Sequence, residues 1–279
     1  MRELHTEVIE KNIEKILLEI AFVLPVDVKK SIEDSKASET HPIARSILDK
    51  IENNSRISEQ KRIPLCQDTG MVVVFLEIGQ DIRLVGDYIE DAINHAVEKA
   101  YQTGYLRKSI VTPLTRVNSN DNTPAVVHYK LVPGEQIKLT VSVKGFGSEN
   151  MSRMKMLKPS DGLAGVEEFV VQSVKEAGPN PCPPIIVGVG IGGTVEKAAF
   201  MAKHALMREI GSGNPDIEAD GIEKELLNRI NQLGIGPMGM GGKTTALGVF
   251  VEMFPTHIAG LPVVVNINCH SSRHKEIVL

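Results

Sequence analysis

Cys66, Cys182 and Cys269 are the only cysteines of the chain, and each lies in a motif that an inert thiol would not need. They occupy Pro64-Leu65-Cys66-Gln67-Asp68-Thr69-Gly70, Asn180-Pro181-Cys182-Pro183-Pro184 and Asn266-Ile267-Asn268-Cys269-His270-Ser271-Ser272. An odd number cannot pair fully within one chain, and the wide separations match no short-spaced zinc signature. A fold that gathered the three would present three thiolates with one position left open, as an iron–sulfur cluster with one substrate-binding iron requires. Isolated cysteines are more often packed as small hydrophobes. Here Gln67, Asp68, Asn180, Asn268 and His270 are poor company for an inert core residue. The neighbouring prolines and glycines mark turns, where functional groups are usually presented.

Two glycine-rich segments invite a nucleotide reading. Gly188, Gly190 and Gly193 satisfy the bare Gly-x-Gly-x-x-Gly pattern between a strand and a helix. No acidic residue ends a strand about twenty residues on, where a ribose would be held. In Gly234–Thr245, counting back from Gly242 puts Pro237 where a phosphate loop needs glycine, so that pattern fails. The better functional reading is a loop whose backbone amides and Lys243 approach an anionic group.

These motifs must be positioned by the elements between them. Ile9, Ile13, Ile16, Leu17 and Ile20 recur at helical spacing, and the first sixty or so residues read as helical. Pro25 and Pro42 punctuate that region, with a last helix over about Ile43 to Ile51. Met71–Ile78 is short, β-branched and bounded by glycine, and reads as a buried strand. A helix is expected from about Asp87 to Ala100. Val126–Val132 and Ile137–Val143 flank Pro133-Gly134-Glu135 and read as a hairpin. Further helices are expected over Val166–Glu176, Val195–Met207 and Ile217–Leu233, and strands over Ile185–Val189 and Leu261–Ile267. The alternation predicts an α/β protein with mixed sheets and flanking helices, its antiparallel part supplied by the hairpin. Residues 1–279 are expected to form one compact unit with two lobes.

Composition narrows the function classes. A net charge of −4 argues against a nucleic-acid surface, and 4% aromatic residues without tryptophan argue against base-stacking platforms. No apolar run reaches membrane-spanning length. The N-terminal residues carry acidic side chains and no apolar signal core. Cysteines whose odd number prevents full disulfide pairing then fit a reducing cytoplasm.

Taken in order, Cys66–Gly70, Asn118–Pro124 (Asn-Ser-Asn-Asp-Asn-Thr-Pro), Gly145–Asn150 (Gly-Phe-Gly-Ser-Glu-Asn), Cys182–Pro184 with Val187–Thr194, Gly234–Thr245 and His257–His274 resemble the N-terminal, iron–sulfur-binding half of class I fumarate hydratases. The resemblance covers nearly the whole chain outside the helical first sixty residues. Single-chain members carry a second domain after the third cysteine motif, whereas this sequence stops at Leu279. It therefore resembles the α subunit of the two-subunit form, which implies a separate β subunit and an α2β2-type assembly. Relatives acting on tartrate share these motifs, so a tartrate dehydratase α subunit is an alternative. A non-catalytic iron- or oxygen-sensing module is another.

The resemblance implies reversible hydration of fumarate to malate, with Cys66, Cys182 and Cys269 holding a [4Fe-4S] cluster whose open iron acts as Lewis acid. Three ligands leave that position open, whereas four would close it. Arg107 is the candidate for bidentate binding of a dicarboxylate, with Arg116 as fallback. Gly145 and Gly147 would allow backbone approach to the ligand. Gln67 and Asp68 directly follow the first cluster ligand, and Asp68 is placed to orient or exchange a proton. As a purely structural residue, Asp68 would instead cap a turn at Thr69-Gly70. His257 is implied as a substrate-side contact, while His270 and His274 would tune or shield the cluster. The base that takes the C–H proton is expected on the companion chain.

Overall fold

The computed structural model describes all residues from Met1 to Leu279. In chain order the elements are β1 (Arg2–His5), α1 (Thr6–Ile20), α2 (Val26–Ser38), α3 (Pro42–Lys61), β2 (Met71–Gly79), β3 (Ile82–Val85), α4 (Ile89–Thr103), β4 (Val126–Val132), β5 (Ile137–Lys144) and α5 (Phe146–Glu149). They continue with β6 (Arg153–Leu157), α6 (Gly162–Ala177), β7 (Ile185–Gly192), α7 (Val195–Ala205), α8 (Ile217–Gln232), β8 (Ala246–Phe254), β9 (Leu261–Asn268) and β10 (Arg273–Val278). This is the mixed α/β class expected. No helix is long and apolar enough to cross a membrane. The chain divides into two compact units. The first comprises Met1–Pro25, Ser55–Phe146 and Arg273–Leu279, and the second Val26–Asn54 and Gly147–Ser272.

In the first unit, α1 buries Ile9, Ile13, Ile16, Leu17 and Ile20 along one stripe. It packs with Ile93, Ala96, Val97 and Ala100 of α4 over a four-stranded sheet ordered β10-β5-β2-β4. β2 and β4 are parallel and joined through α4, while β5 runs antiparallel to β2. The two segments read as a hairpin are therefore strands, but they do not pair with each other. β2 lies between them because its unbroken apolar run, Val72 to Leu76, is buried throughout and claims the central place. The Pro133–Gln136 connection instead crosses the end of β2. Gly79 N–H donates to Gln136 O, and a Cβ at Gly79 would stand 2.3 Å from Gly134 O. β1 and β3 form a small parallel pair that the sequence pattern did not signal.

Helix α3 extends ten residues past the expected end at Ile51. That extension has no apolar stripe to signal it. It ends where the buried Ser58 hydroxyl meets the carbonyls of Phe22 and Ile63.

In the second unit the sheet order is β6-β9-β7-β8, with β7 parallel to β8 and antiparallel to β9. One face of this sheet packs Val187, Val189, Val263 and Val265 against α6 and α8. Ala198 and Ala202 of α7 pack with Val264 on the other. A Cβ at Gly188 or Gly190 would stand 2.0 Å from the carbonyl oxygen of Ala202 or Ala198. Close approach of α7 to β7 therefore accounts for these two glycines of the apparent dinucleotide pattern. The strands β6, β8 and β10 were not foreseen. β8 follows directly on the glycine-rich loop, and its nine residues were given no element in the sequence reading.

Candidate functional site

In the first unit, several separated motifs converge on Thr69-Gly70. Tyr101, fully buried on α4, places its hydroxyl 2.9 Å from both the Thr69 and Gly70 carbonyl oxygens. Burial pushes the Tyr101 phenol well above its ordinary value, so it stays a donor. Asn122, also fully buried, donates to Gly70 O at 3.2 Å and accepts from Ser109 N–H at 2.8 Å. Its φ of +69° is a conformation asparagine tolerates better than most residues. The Thr69 hydroxyl donates to Arg107 O at 2.8 Å. The Arg107 segment is thus pinned to the turn that follows Cys66, while its guanidinium stays exposed with no ion pair of its own.

Asp68 is held from both sides. Its Oδ1 accepts the Gly70 N–H at 3.0 Å, the turn-capping geometry that an aspartate here favours. Its Oδ2 accepts the Phe146 N–H at 2.8 Å, which joins it to the Gly145-Phe146 corner. A Cβ at Gly145 would stand 3.2 Å from that oxygen. The carbonyl of Asp68 accepts from Arg273, which is buried at the start of β10. Cys66 is partly exposed, and its sulfur accepts the Asp68 N–H at 3.4 Å. The side chain of Gln67 is exposed, with Oε1 3.5 Å from Cys66 Sγ. This unit therefore brings together Cys66, Gln67, Asp68, Arg107 and Gly145. Arg116, the fallback for Arg107, sits on the exposed 110–118 excursion with φ +59°.

In the second unit, Cys182 precedes β7 and Cys269 follows β9. These strands are antiparallel with Ile186 opposite Asn268, so both cysteines lie at one end of the sheet. The ring Nδ1 of His270 is 2.9 Å from Cys182 O and ties the two turns. Both thiols are partly exposed, and Cys182 has φ +55°. Gly147 lies beside this turn, with the Asn180 carbonyl 3.9 Å from where its Cβ would be. Glu149, two residues on, accepts from Asn266 at 2.8 Å and from Lys203 at 2.6 Å. The Gly147 segment is thereby fixed to the strand that leads into Cys269.

Two expected site residues lie elsewhere within this unit. His257 falls between β8 and β9, at the opposite end of the sheet from Cys182 and Cys269. The eight residues of β9 intervene, a distance of about 25 Å at strand rise. Its Nδ1 accepts the Ala259 N–H at 3.2 Å, and it edges an apolar cleft of about 370 Å³ with Leu163, Val166, Ile222 and Met253. Lys243 is exposed, and its ammonium donates to Ser38 O at 3.3 Å, so the structure uses it to fasten its loop.

The donor chemistry suits a thiolate-bound iron–sulfur group. All three cysteines are partly exposed on turns, and two are tied together in one unit. Neither unit alone gathers three or more His, Cys, Asp or Glu side chains in metal-holding geometry.

Sequence reasoning missed Tyr101, Asn122, Glu149 and Arg273. Asn122 and Glu149 lay inside quoted motifs, and Arg273 falls just beyond Cys269. Tyr101 fell just past the expected helix end at Ala100, with no motif to mark it.

One unit thus sets a cysteine, a carboxylate and an exposed arginine around a buried turn, and the other holds a pair of cysteines at one end of its sheet. The fumarate hydratase (Fumerase) family model matches residues 10–278. The chain is 44% identical over 266 residues to the putative L(+)-tartrate dehydratase subunit alpha of Methanocaldococcus jannaschii, covering 93% of each chain. It is 32% identical over 264 residues to the L(+)-tartrate dehydratase subunit alpha of Escherichia coli K12, covering 93% of this chain and 87% of that one. The chain belongs to the fumarate hydratase (Fumerase) family, a family of hydro-lyases.

Proposed function

We propose that the chain is the α subunit of a hydro-lyase that reversibly hydrates fumarate to (S)-malate and is complete only with a separate β subunit. The observation that carries this reading is the Thr69-Gly70 hub, which holds Cys66, Asp68 and the Arg107 segment in one place. Cys66, Cys182 and Cys269 would hold a [4Fe-4S] cluster, which when bound supplies Lewis-acid polarisation of the substrate hydroxyl.

The remaining work falls to side chains and backbone. The unpaired Arg107 guanidinium offers a planar fork for one substrate carboxylate. Asp68 is fixed by its two backbone donors, and each oxygen keeps a second lone pair with which to take or return a proton. Gln67 adds an exposed amide beside Cys66. Gly145 and Gly147 have no side chains to block a carboxylate from nearby backbone. His257 is left without a step, a sheet length from Cys182 and Cys269, and Lys243 acts as a loop anchor. The proton-abstracting base is assigned to the β subunit.

The relatives' names favour a second reading, in which the substrate is L(+)-tartrate. The same elimination then starts from a dicarboxylate with one more hydroxyl. The test is anaerobic co-expression with a candidate β subunit, followed by iron and acid-labile sulfide analysis and dehydration assays on malate and L(+)-tartrate. About four iron and four sulfide per chain, with malate preferred, support the first reading. Preference for tartrate replaces it with the second. Turnover by a metal-free preparation would overturn the cluster in both.

A further inference from the structure

We propose that Glu39 is the positioning residue of the Cys182 turn, acting through the glycine-rich loop Gly234–Lys243. The proposal rests on reading Cys182 and Cys269 as ligands, and deepens it by naming what holds them in place.

Glu39 lies in the turn between α2 and α3 and is only 3% exposed. Its Oε1 accepts the N–H groups of Thr40 and His41, each at 2.8 Å, at the start of α3. Its Oε2 reaches across to the Lys243 N–H at 2.7 Å. One carboxylate thus closes a helix start and the far end of a loop some two hundred residues away in sequence. Burial pushes against its charge, but the three backbone donors outweigh that and hold its pKa below the ordinary range. A cap alone would not need this. Serine, threonine or asparagine serves a helix start without burying a charge. A two-oxygen acceptor is required when two segments share it.

The loop is built to meet that acceptor. Gly242 has φ +108°, and a Cβ there would stand 2.7 Å from Glu39 Oε2 and 2.6 Å from the Ala44 Cβ. The loop also closes on itself, through Gly241 N–H to Ile235 O at 2.9 Å and Gly236 N–H to the Thr245 hydroxyl at 3.2 Å. Its outer edge then meets the cysteine turn. Met238 N–H donates to Pro183 O at 2.7 Å, and a Cβ at Gly239 would stand 2.5 Å from the Pro179 Cβ. Cys182 O in turn faces His270, beside Cys269. Positive φ at Gly234, Gly236, Met238, Gly239, Gly241 and Gly242 makes the loop costly to order. Glu39 supplies a buried anchor, where the loop's own Lys243 ammonium makes only an exposed bond to Ser38 O.

The test is amide hydrogen exchange on the metal-free full chain, read residue by residue by NMR, for Glu39→Gln and Gly242→Ala. Glu39→Gln should speed exchange at Thr40, His41 and Lys243, and also at Met238 and Cys182, by at least ~10-fold, with the β7 and β9 amides unchanged. Gly242→Ala should loosen Lys243, Met238 and Cys182 while leaving Thr40 and His41 at wild-type rates. It also serves if Glu39→Gln fails to fold. Acceleration confined to Thr40, His41 and Lys243 would make Glu39 a cap and overturn the proposal. A uniform rise across β7 and β9 would overturn it too. Because exchange is read without metal, an iron-free wild-type complex would defeat the cluster reading and leave the latch standing.

Discussion

The turns that carry the cysteines are held by different means in the two units. Around Cys66, side chains do the holding. The Tyr101 hydroxyl, the Asn122 amide and the Arg273 guanidinium reach in from an element or loop each to bond the backbone of Asp68, Thr69 and Gly70. Around Cys182 and Cys269 the His270 ring and the Glu39 carboxylate also hold, but close backbone approach is added to them. Gly188 and Gly190 let α7 onto β7, while Gly239 and Gly242 let the loop onto Pro179 and Glu39. A site made by reach is broken by deleting atoms, and a site made by close approach is broken by adding them.

The largest effect should come from addition in the second unit. Gly190→Ala would put a methyl 2.0 Å from the Ala198 carbonyl oxygen. Forcing α7 off β7 should cost about 3 kcal/mol, read by denaturant melts. A cost below about 0.5 kcal/mol would break the contrast.

Deletion in the first unit comes next. Asn122→Ala removes two hydrogen bonds to backbone, one of them to the buried Gly70 carbonyl, and should cost about 2–3 kcal/mol. Asn122→Gly removes the same bonds but eases the positive φ, and should be the milder of the two. Equal losses would mean that strain at φ +69° does not matter.

Arg107→Met separates function from this scaffold. Its side chain is exposed, so stability should hold while kcat/KM for the dicarboxylate falls about 10- to 100-fold, the worth of one charge-assisted pair. Unchanged kinetics would remove Arg107 from the site and bring Arg116 forward.

The smallest effect is a pH dependence. The folded-state pKa of Glu39 is depressed, so its stabilisation is fully present above the ordinary value of 4.5 and is lost as the pH falls through the lower folded value. The stability gap between wild type and Glu39→Gln should therefore be constant near neutrality and narrow under acid. A gap that widened on acidification would reverse the sign assigned to this carboxylate.

Much of this was legible in the sequence, for identifiable reasons. The α1 stripe and the β2 run are strong periodic signals that local burial enforces. The cysteine motifs stood out because polar residues and prolines beside a thiol are unusual. The hairpin reading failed because strand pairing is decided by which strand is most apolar, and adjacency in sequence does not reveal that. His257 was put forward by the family resemblance, and Lys243 by the glycine-rich loop that carries it. Only the sheet register separates His257 from Cys182 and Cys269, and only the position of Ser38 shows what the Lys243 ammonium does. Glu39 was invisible because nothing in a stretch of serine, glutamate and threonine announces burial.

The place of β10 has a consequence for how the protein is made. It pairs with β5 along six positions, from Arg273 with Val143 to Val278 with Lys138, and it brings Arg273 to Asp68. The first unit is therefore completed by a strand that follows all of the second unit in the chain, and so is synthesised after it. Until then β5 is left with an open edge, a surface on which nascent chains can pair wrongly. The Cys66 turn, first of the three to be translated, would be the last to be locked in place.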